Sequence, residues 1–363
     1  MTPEITENIV YVATKDELRK ACEKLSEKNV LGIDFECENN LHHYGAYLTL
    51  IQISDGEKDY LIDVIELERI DCLLDIFKND AIEKIFHDVS FDLRMLQHQF
   101  NTGVCNLIDT QMLAMLNGEE NLGLGALLMK YFDVKKINKF QKADWTKRPL
   151  SREMLTYASG DSKYLIRLKE KLLDDLERKG RESWAREECK HLETLDYTYK
   201  EQQASDIKGY SRLSGDRKSI LSAVFELREK LAERVDMPPH FIINNKKLLE
   251  VANNPPETPK GWAKMRGVHP IVKRYSGMFT KKVKEAQQDP IKTTRTKPKR
   301  YSQSQREQFT ALSDKRDALS EKLGIAKSLI LSKDQMKDIV ITGKYDSLRS
   351  WQKELVTSDK QEK

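Results

Sequence analysis

Through the first 65 positions apolar residues alternate with polar ones or run together in short blocks, and beyond that point they recur every three or four residues. The early blocks predict strands over residues 9–12, 30–35, 48–53 and 60–63, with a helix over Lys15–Ser26 and turn signals at Ser54, Asp55 and Gly56. Helical spacing then predicts helices over 67–78, 90–100, 110–116, 125–131 and 151–178, interrupted by a short strand at 84–86. Strands followed by helices that can cover them predict an α/β domain, a mixed sheet flanked by helices, over residues 1–200. A charged connector over 182–208 leads to a stretch that is helical throughout, 208–288.

After a basic linker at 289–303, containing Pro290 and Pro298, a further helical segment spans 304–363. It echoes the preceding one at an offset of 88 residues: Val235, Met237, Phe241, Ile242 and Ile243 return as Leu323, Ile325, Leu329, Ile330 and Leu331. Two related helical domains are predicted, the second shorter.

Composition sharpens this division. The net charge of +4 hides an asymmetry: residues 201–363 hold 34 Lys and Arg against 21 Asp and Glu, a net +13, while the first 200 hold 28 against 37, a net −9. An acidic module joined to one that seeks a polyanion is the expectation. No segment has the run of about 18 apolar residues that a membrane span needs, and residues 1–8 are acidic and polar rather than signal-like. Five scattered cysteines with no C-x-x-C pair predict neither a disulfide framework nor a zinc site, and fit a reducing, cytoplasmic compartment.

Three segments carry candidate chemistry. In Gly32 to Asn39 (GIDFECEN), strand alternation places Asp34 and Glu36 on one face, where two carboxylates can grip one cation. Asp92, in FHDVSFDLRML, is the polar member of an otherwise apolar helical turn. In YASGDSKYL, Tyr157 and Asp161 stand four apart and share a helix face. Taken singly, each has an ordinary alternative: a solvated strand edge, an acid favoured by a helix N-terminus, a packed tyrosine with a surface aspartate. His87 and Asp88 fit hydrogen-bonding roles and stand outside the candidate catalytic set.

Taken together, in this order, the three segments resemble the signatures of the ribonuclease D family within the DEDDy exonuclease superfamily. The connecting runs IDTQMLAML and DWTKRPLS are similar to that family's as well, so the resemblance covers residues 8–178. Residues 213–234, with Met237, Pro238, Pro239, Ile242, Ile243, Leu248 and Leu249, resemble an HRDC domain; Arg316, Asp317 and the Ile325 to Leu331 run resemble a truncated second one without the proline pair. Gly160 and Ser162, flanking Asp161, depart mildly from the family pattern and remove no ligand.

The resemblance implies an RNase H-like exonuclease domain followed by two all-α HRDC-type domains. It also implies 3′-5′ hydrolysis of RNA to 5′-mononucleotides with two divalent ions, Mg²⁺ or Mn²⁺, and precursor tRNA with 3′ extensions as substrate. Asp34 would bridge both ions, Glu36 and Asp161 would complete the site that activates water, Asp92 would hold the second ion through water, and Tyr157 would orient or deprotonate the attacking water. Lys260, Lys264, Arg266, Lys273 and Arg274, with Trp262 and Tyr275 as stacking platforms, are the expected RNA contacts of a monomeric enzyme. A DNA exonuclease and a catalytically silent binding protein remain open alternatives. A helicase is excluded because no G-x-x-x-x-G-K-[ST] loop is present.

Overall fold

The computed structural model describes residues 8–67, 69–136, 139–292 and 301–358. Six strands, β1 (Ile9–Val12), β2 (Val30–Asn39), β3 (Ala46–Ser54), β4 (Asp59–Asp63), β5 (Glu83–Phe86) and β6 (Leu107–Asp109), form one mixed sheet in the order β1-β4-β3-β2-β5-β6. β3 runs antiparallel to β4, from Leu50 opposite Asp63 to Ser54 opposite Asp59, while β1 pairs parallel with β4 and β5 pairs parallel with both β2 and β6. β2, which carries Asp34 and Glu36, is therefore an interior strand, held on both edges.

Among the described residues, nine helices accompany this sheet: α1 (Lys15–Ser26), α2 (Val64–Leu67), α3 (Asp71–Lys78), α4 (Ser90–Phe100), α5 (Thr110–Asn117), α6 (Leu124–Phe132), α7 (Arg152–Ser162), α8 (Leu165–Arg178) and α9 (Glu182–Leu192). The local sequence explains several boundaries. α1 starts at a reciprocal cap, in which Glu17 N donates to Thr14 Oγ1 (3.3 Å) and Thr14 N donates to Glu17 Oε2 (3.0 Å). It then buries Leu18, Ala21, Cys22 and Leu25.

Four expectations are corrected. The helix predicted over 151–178 is two helices, since the chain turns at Lys163 and Tyr164 before Leu165 starts a new buried stripe. The helix predicted over 67–78 is likewise divided, with α3 starting only after Ile70. β6 was not anticipated, because three residues are too few to show a period. The scattered cysteines predict no disulfide framework, yet Cys22 on the buried face of α1 forms a disulfide with Cys72 on α3, at a Cα separation of 6.2 Å. These two lie 50 positions apart in sequence and meet only because α1 packs on α3.

The chain divides into two units. In the first, α16 (Gln303–Leu323), α17 (Lys327–Ile330), α18 (Lys333–Thr342) and α19 (Ser350–Thr357) share a core with the sheet domain, where Leu116, Leu128, Leu172 and Ala185 join Ile325, Ile330, Ile339 and Trp351. The second holds α10 (Gly215–Arg234), α11 (Pro239–Ile242), α12 (Asn245–Asn253), α13 (Pro259–Ala263), α14 (Pro270–Arg274) and α15 (Ser276–Gln288) around Leu221, Val224, Ile243, Leu248 and Trp262. Residues 37–47, the end of β2, the turn after it and the start of β3, belong to this second unit, where Tyr44 N donates to Asp236 Oδ1 (3.1 Å).

The 88-residue echo recurs in the helices, because α10, α11 and α12 start at 215, 239 and 245, and α16, α17 and α18 start at 303, 327 and 333. Most of the predicted basic linker, residues 293–300, lies outside the described residues. Among the described residues, no helix is long and apolar enough to cross a membrane.

Candidate active site

Asp34 and Glu36 project from the same face of β2 and are half-buried, while Phe35 between them points into the core against Phe86 (centroids 5.9 Å apart, edge-on) and Phe77 (6.1 Å). That anchoring fixes the register of the two acids. A hydrogen bond from Thr49 Oγ1 to the Glu36 carbonyl (2.9 Å) holds the strand at the same level.

Asp161 reaches this face from the last turn of α7. The approach depends on Gly32: a Cβ there would lie 2.6 Å from the Ser162 carbonyl oxygen and 3.2 Å from Leu165 Cβ. Helix and strand therefore come closer than any side chain at position 32 allows. One carboxylate oxygen each from Asp34, Glu36 and Asp161 lies within 4.8 Å of the other two, a spacing that suits shared coordination of a metal ion.

Asp92, buried in the first turn of α4, stands outside this group of three; burial, followed by the charges of Asp34 and Asp109, raises its own proton affinity. α4 has no side-chain cap of its own at Val89. Asp109 at the end of β6 takes that role, accepting from Asp88 N (2.9 Å) and Val89 N (3.2 Å), and also caps α5 through Gln111 N (2.8 Å). His87 Nδ1 pairs with Thr110 Oγ1 (2.9 Å), which places it in a structural contact.

Tyr157, one turn before Asp161, is held by aromatic contacts with Phe140 (5.8 Å, edge-on) and Trp145 (6.0 Å). Trp145 Nε1 donates to the Phe140 carbonyl (3.2 Å), and Arg148 ties the same segment to the sheet through Asp63 and the Thr49 carbonyl (3.0 Å). The DWTKRPLS run is thus a brace for Tyr157. Tyr157, Asp161, Lys136, Phe140 and Arg152 line a cavity of about 560 Å³.

Electrostatics mark the same place. Burial, followed by the charge of Asp161, pushes Asp34 up to about 7. Glu36 and Asp92 are pushed well above the usual carboxylate range, each first by burial and then by the charge of Asp34, and Asp161 is raised by burial. Carboxylates gathered out of water oppose one another's ionisation, and a multivalent cation relieves that opposition. The donor set, all carboxylate oxygen, suits a hard divalent ion. Asp161 Oδ1 is a buried acceptor already in contact with a cationic group, the Lys136 ammonium.

Lys136 is the member of the site that sequence reasoning passed over. Its Nζ lies 2.5 Å from Asp161 Oδ1 and 5.6 Å from the centre of the Tyr157 ring. The signal available was only a Lys-Lys pair ahead of the DWTKRPLS run. Gly32 was equally hidden, since one glycine in a strand does not announce what approaches it.

The 3′-5′ exonuclease family model matches residues 9–177, and the HRDC domain model matches residues 217–279. The chain carries a 3′-5′ exonuclease domain followed by an HRDC domain. It is 27% identical over 257 residues to the exosome complex exonuclease RRP6 of Saccharomyces cerevisiae, which covers 66% of this chain and 35% of that protein. With ribonuclease D of Sphingobium indicum it shares 28% identity over 256 residues, 69% of this chain and 66% of that one. The crystal structure of Escherichia coli RNase D has the same fold, with a TM-score of 0.71, 24% identity, and coverage of 92% of this chain and 90% of that one. The chain thus spans about a third of the RRP6 relative's length.

In the HRDC domain, Lys260, Lys264, Arg266, Lys273 and Arg274 are all exposed. Trp262, expected as a stacking platform, is instead fully buried and stacked on Phe279 at 4.7 Å. Its place on α13 facing α15 makes it the centre of the helical core and removes it from any RNA surface. Tyr275 is half-buried, with the Arg234 and Arg274 guanidinium groups 5.7 and 6.0 Å from its ring centre.

Proposed function

We propose that the protein is a 3′-5′ exoribonuclease that hydrolyses RNA from its 3′ end and releases 5′-mononucleotides. The observation that carries this reading is the convergence of Asp34, Glu36 and Asp161 within 4.8 Å of one another at a cavity walled by Tyr157. Likeness to a ribonuclease D and to RRP6 supports RNA over DNA as the substrate.

Asp34, Glu36 and Asp161 would hold a divalent cation, and Asp92, whose proton affinity the Asp34 charge raises, would hold a second through water. Mg²⁺ or Mn²⁺ bound there supplies an activated water at neutral pH and relieves charge on the phosphate. Tyr157 orients that water as a neutral phenol. Burial is the largest cause of its raised pKa, followed by the charges of Asp161, Glu36 and Asp34, so it is no base at neutral pH. Lys260, Lys264, Arg266, Lys273 and Arg274 would hold the RNA backbone. Residues 304–363 read as a second, shortened HRDC-like domain on the strength of the 88-residue recurrence, and 3′-extended tRNA precursors in the cytoplasm are the natural substrate of such an arrangement.

The test is incubation of the full chain with 3′-extended tRNA, single-stranded RNA and single-stranded DNA of matched length, with Mg²⁺, Mn²⁺ or EDTA. Release of 5′-mononucleotides from RNA that EDTA abolishes is expected. Release from DNA alone, or release that survives EDTA, overturns the reading.

A further inference from the structure

Lys136 places a positive charge where the proposed metal site needs one. Its side chain is 20% exposed and that of Asp161 only 5%, so the pair at 2.5 Å is largely withdrawn from water. The ammonium sits on Asp161 Oδ1, and both it and the Tyr157 side chain hydrogen-bond the Asp161 carboxylate. The ammonium also faces the Tyr157 ring, and its charge favours ionisation of Asp34 and Glu36 as well as Asp161. An ammonium seated on Asp161 and a divalent cation shared by Asp34, Glu36 and Asp161 therefore draw on the same carboxylate.

We propose that Lys136 is an internal competitor for the metal site: in the metal-free chain its ammonium neutralises Asp161, and a divalent cation must displace it to bind. This rests on the reading of Asp34, Glu36 and Asp161 as metal ligands. Three crowded carboxylates without a counter-charge repel one another, so a resident cation lets the site form before metal arrives. Lysine suits the task because its charge is compact and its four-carbon stem is flexible, so it can leave without disturbing the backbone.

Competition has a measurable signature. A site whose open form is only a fraction of the metal-free population binds with an affinity reduced by that fraction. Each factor of ten corresponds to about 1.4 kcal/mol of preference for the docked lysine.

The experiment is titration of the full chain, stripped with EDTA and dialysed, with MnCl₂ by isothermal calorimetry. Lys136→Met keeps the apolar stem and loses the charge; it should bind Mn²⁺ about tenfold more tightly than the wild type. Its metal-free Tm should fall while the rise in Tm on adding Mn²⁺ grows. Lys136→Gln should behave as Lys136→Met does, and covers the case in which methionine impairs folding. Lys136→Arg should stay near the wild type.

Unchanged or weaker Mn²⁺ binding in both neutral variants, with binding intact in the wild type and lost in Asp34→Asn, overturns the competitor role alone. Failure of the wild type to bind Mn²⁺ overturns the metal-site reading beneath it.

Discussion

The proton affinity of Asp34 reflects the design of the whole site. An ordinary aspartate ionises near pH 4, whereas burial and the neighbouring Asp161 charge push this one up to about 7 in the metal-free chain. Between those values the folded chain holds a proton that the unfolded chain has lost, so the contribution to stability is full at low pH and declines as pH rises from about 4 to about 7. That is the opposite sign from a salt-bridged carboxylate. In EDTA, the Tm of the wild type should therefore fall across this window relative to Asp34→Asn, and Mn²⁺ should remove the difference at the upper end by favouring the ionised form. Parallel Tm profiles for the two proteins in EDTA would show that Asp34 carries no such strain. Glu36, Asp92 and Asp161 share the sign, which is why their removal would compound the effect.

At the level of elements, the site depends on how closely α7 lies on β2. Gly32→Val would force the Ser162 carbonyl, 2.6 Å from the new Cβ, to retreat and carry Asp161 with it. Overpacking at a buried strand position costs about 1–3 kcal/mol, so urea unfolding should report a protein that is weakened but folded. Its nuclease rate should fall out of proportion to that loss, because the three carboxylates would no longer share one ion; a rate that stayed at wild type would mean that the close approach serves packing only. Much of this element scale was readable in advance. Alternation fixed Asp34 and Glu36 on one face, and the spacing of Tyr157 and Asp161 fixed a shared helical face. The glycine contact, the capping of α4 by Asp109 and the ion pair of Lys136 were not readable, because each joins segments whose approach is decided by packing and leaves no period in the chain. The Cys22–Cys72 bridge was lost for the same reason. Trp262 failed differently: an aromatic residue among lysines suggests a binding surface, but burial of a large ring in a small helical core outweighs that suggestion.

For the molecule as a whole, the structure gives the last helical segment a role that charge did not foretell. Its helices complete the core of the exonuclease-bearing unit. Trp351, 3% exposed, stacks on Trp184 of α9 at 4.7 Å and donates from Nε1 to Glu188 Oε1 (2.9 Å), while Glu187 accepts from Ser350 N (2.6 Å) at the start of α19. Arg181 bridges the carbonyls of Leu116 on α5 and Leu323 on α16, beside a glycine contact in which a Cβ at Gly118 would meet the Gly324 oxygen at 2.1 Å. Such a seam transmits stability between its two sides. Trp351→Ala removes a buried ring and takes a donor from Glu188, a change that costs about 3–5 kcal/mol. If the segment is part of the exonuclease core, hydrogen exchange in the variant should accelerate in α5 and α9 as well as in α16 and α19. Protection lost only in the terminal helices, with α5 and α9 at wild-type rates, would instead identify an independent module that merely rests on the catalytic unit.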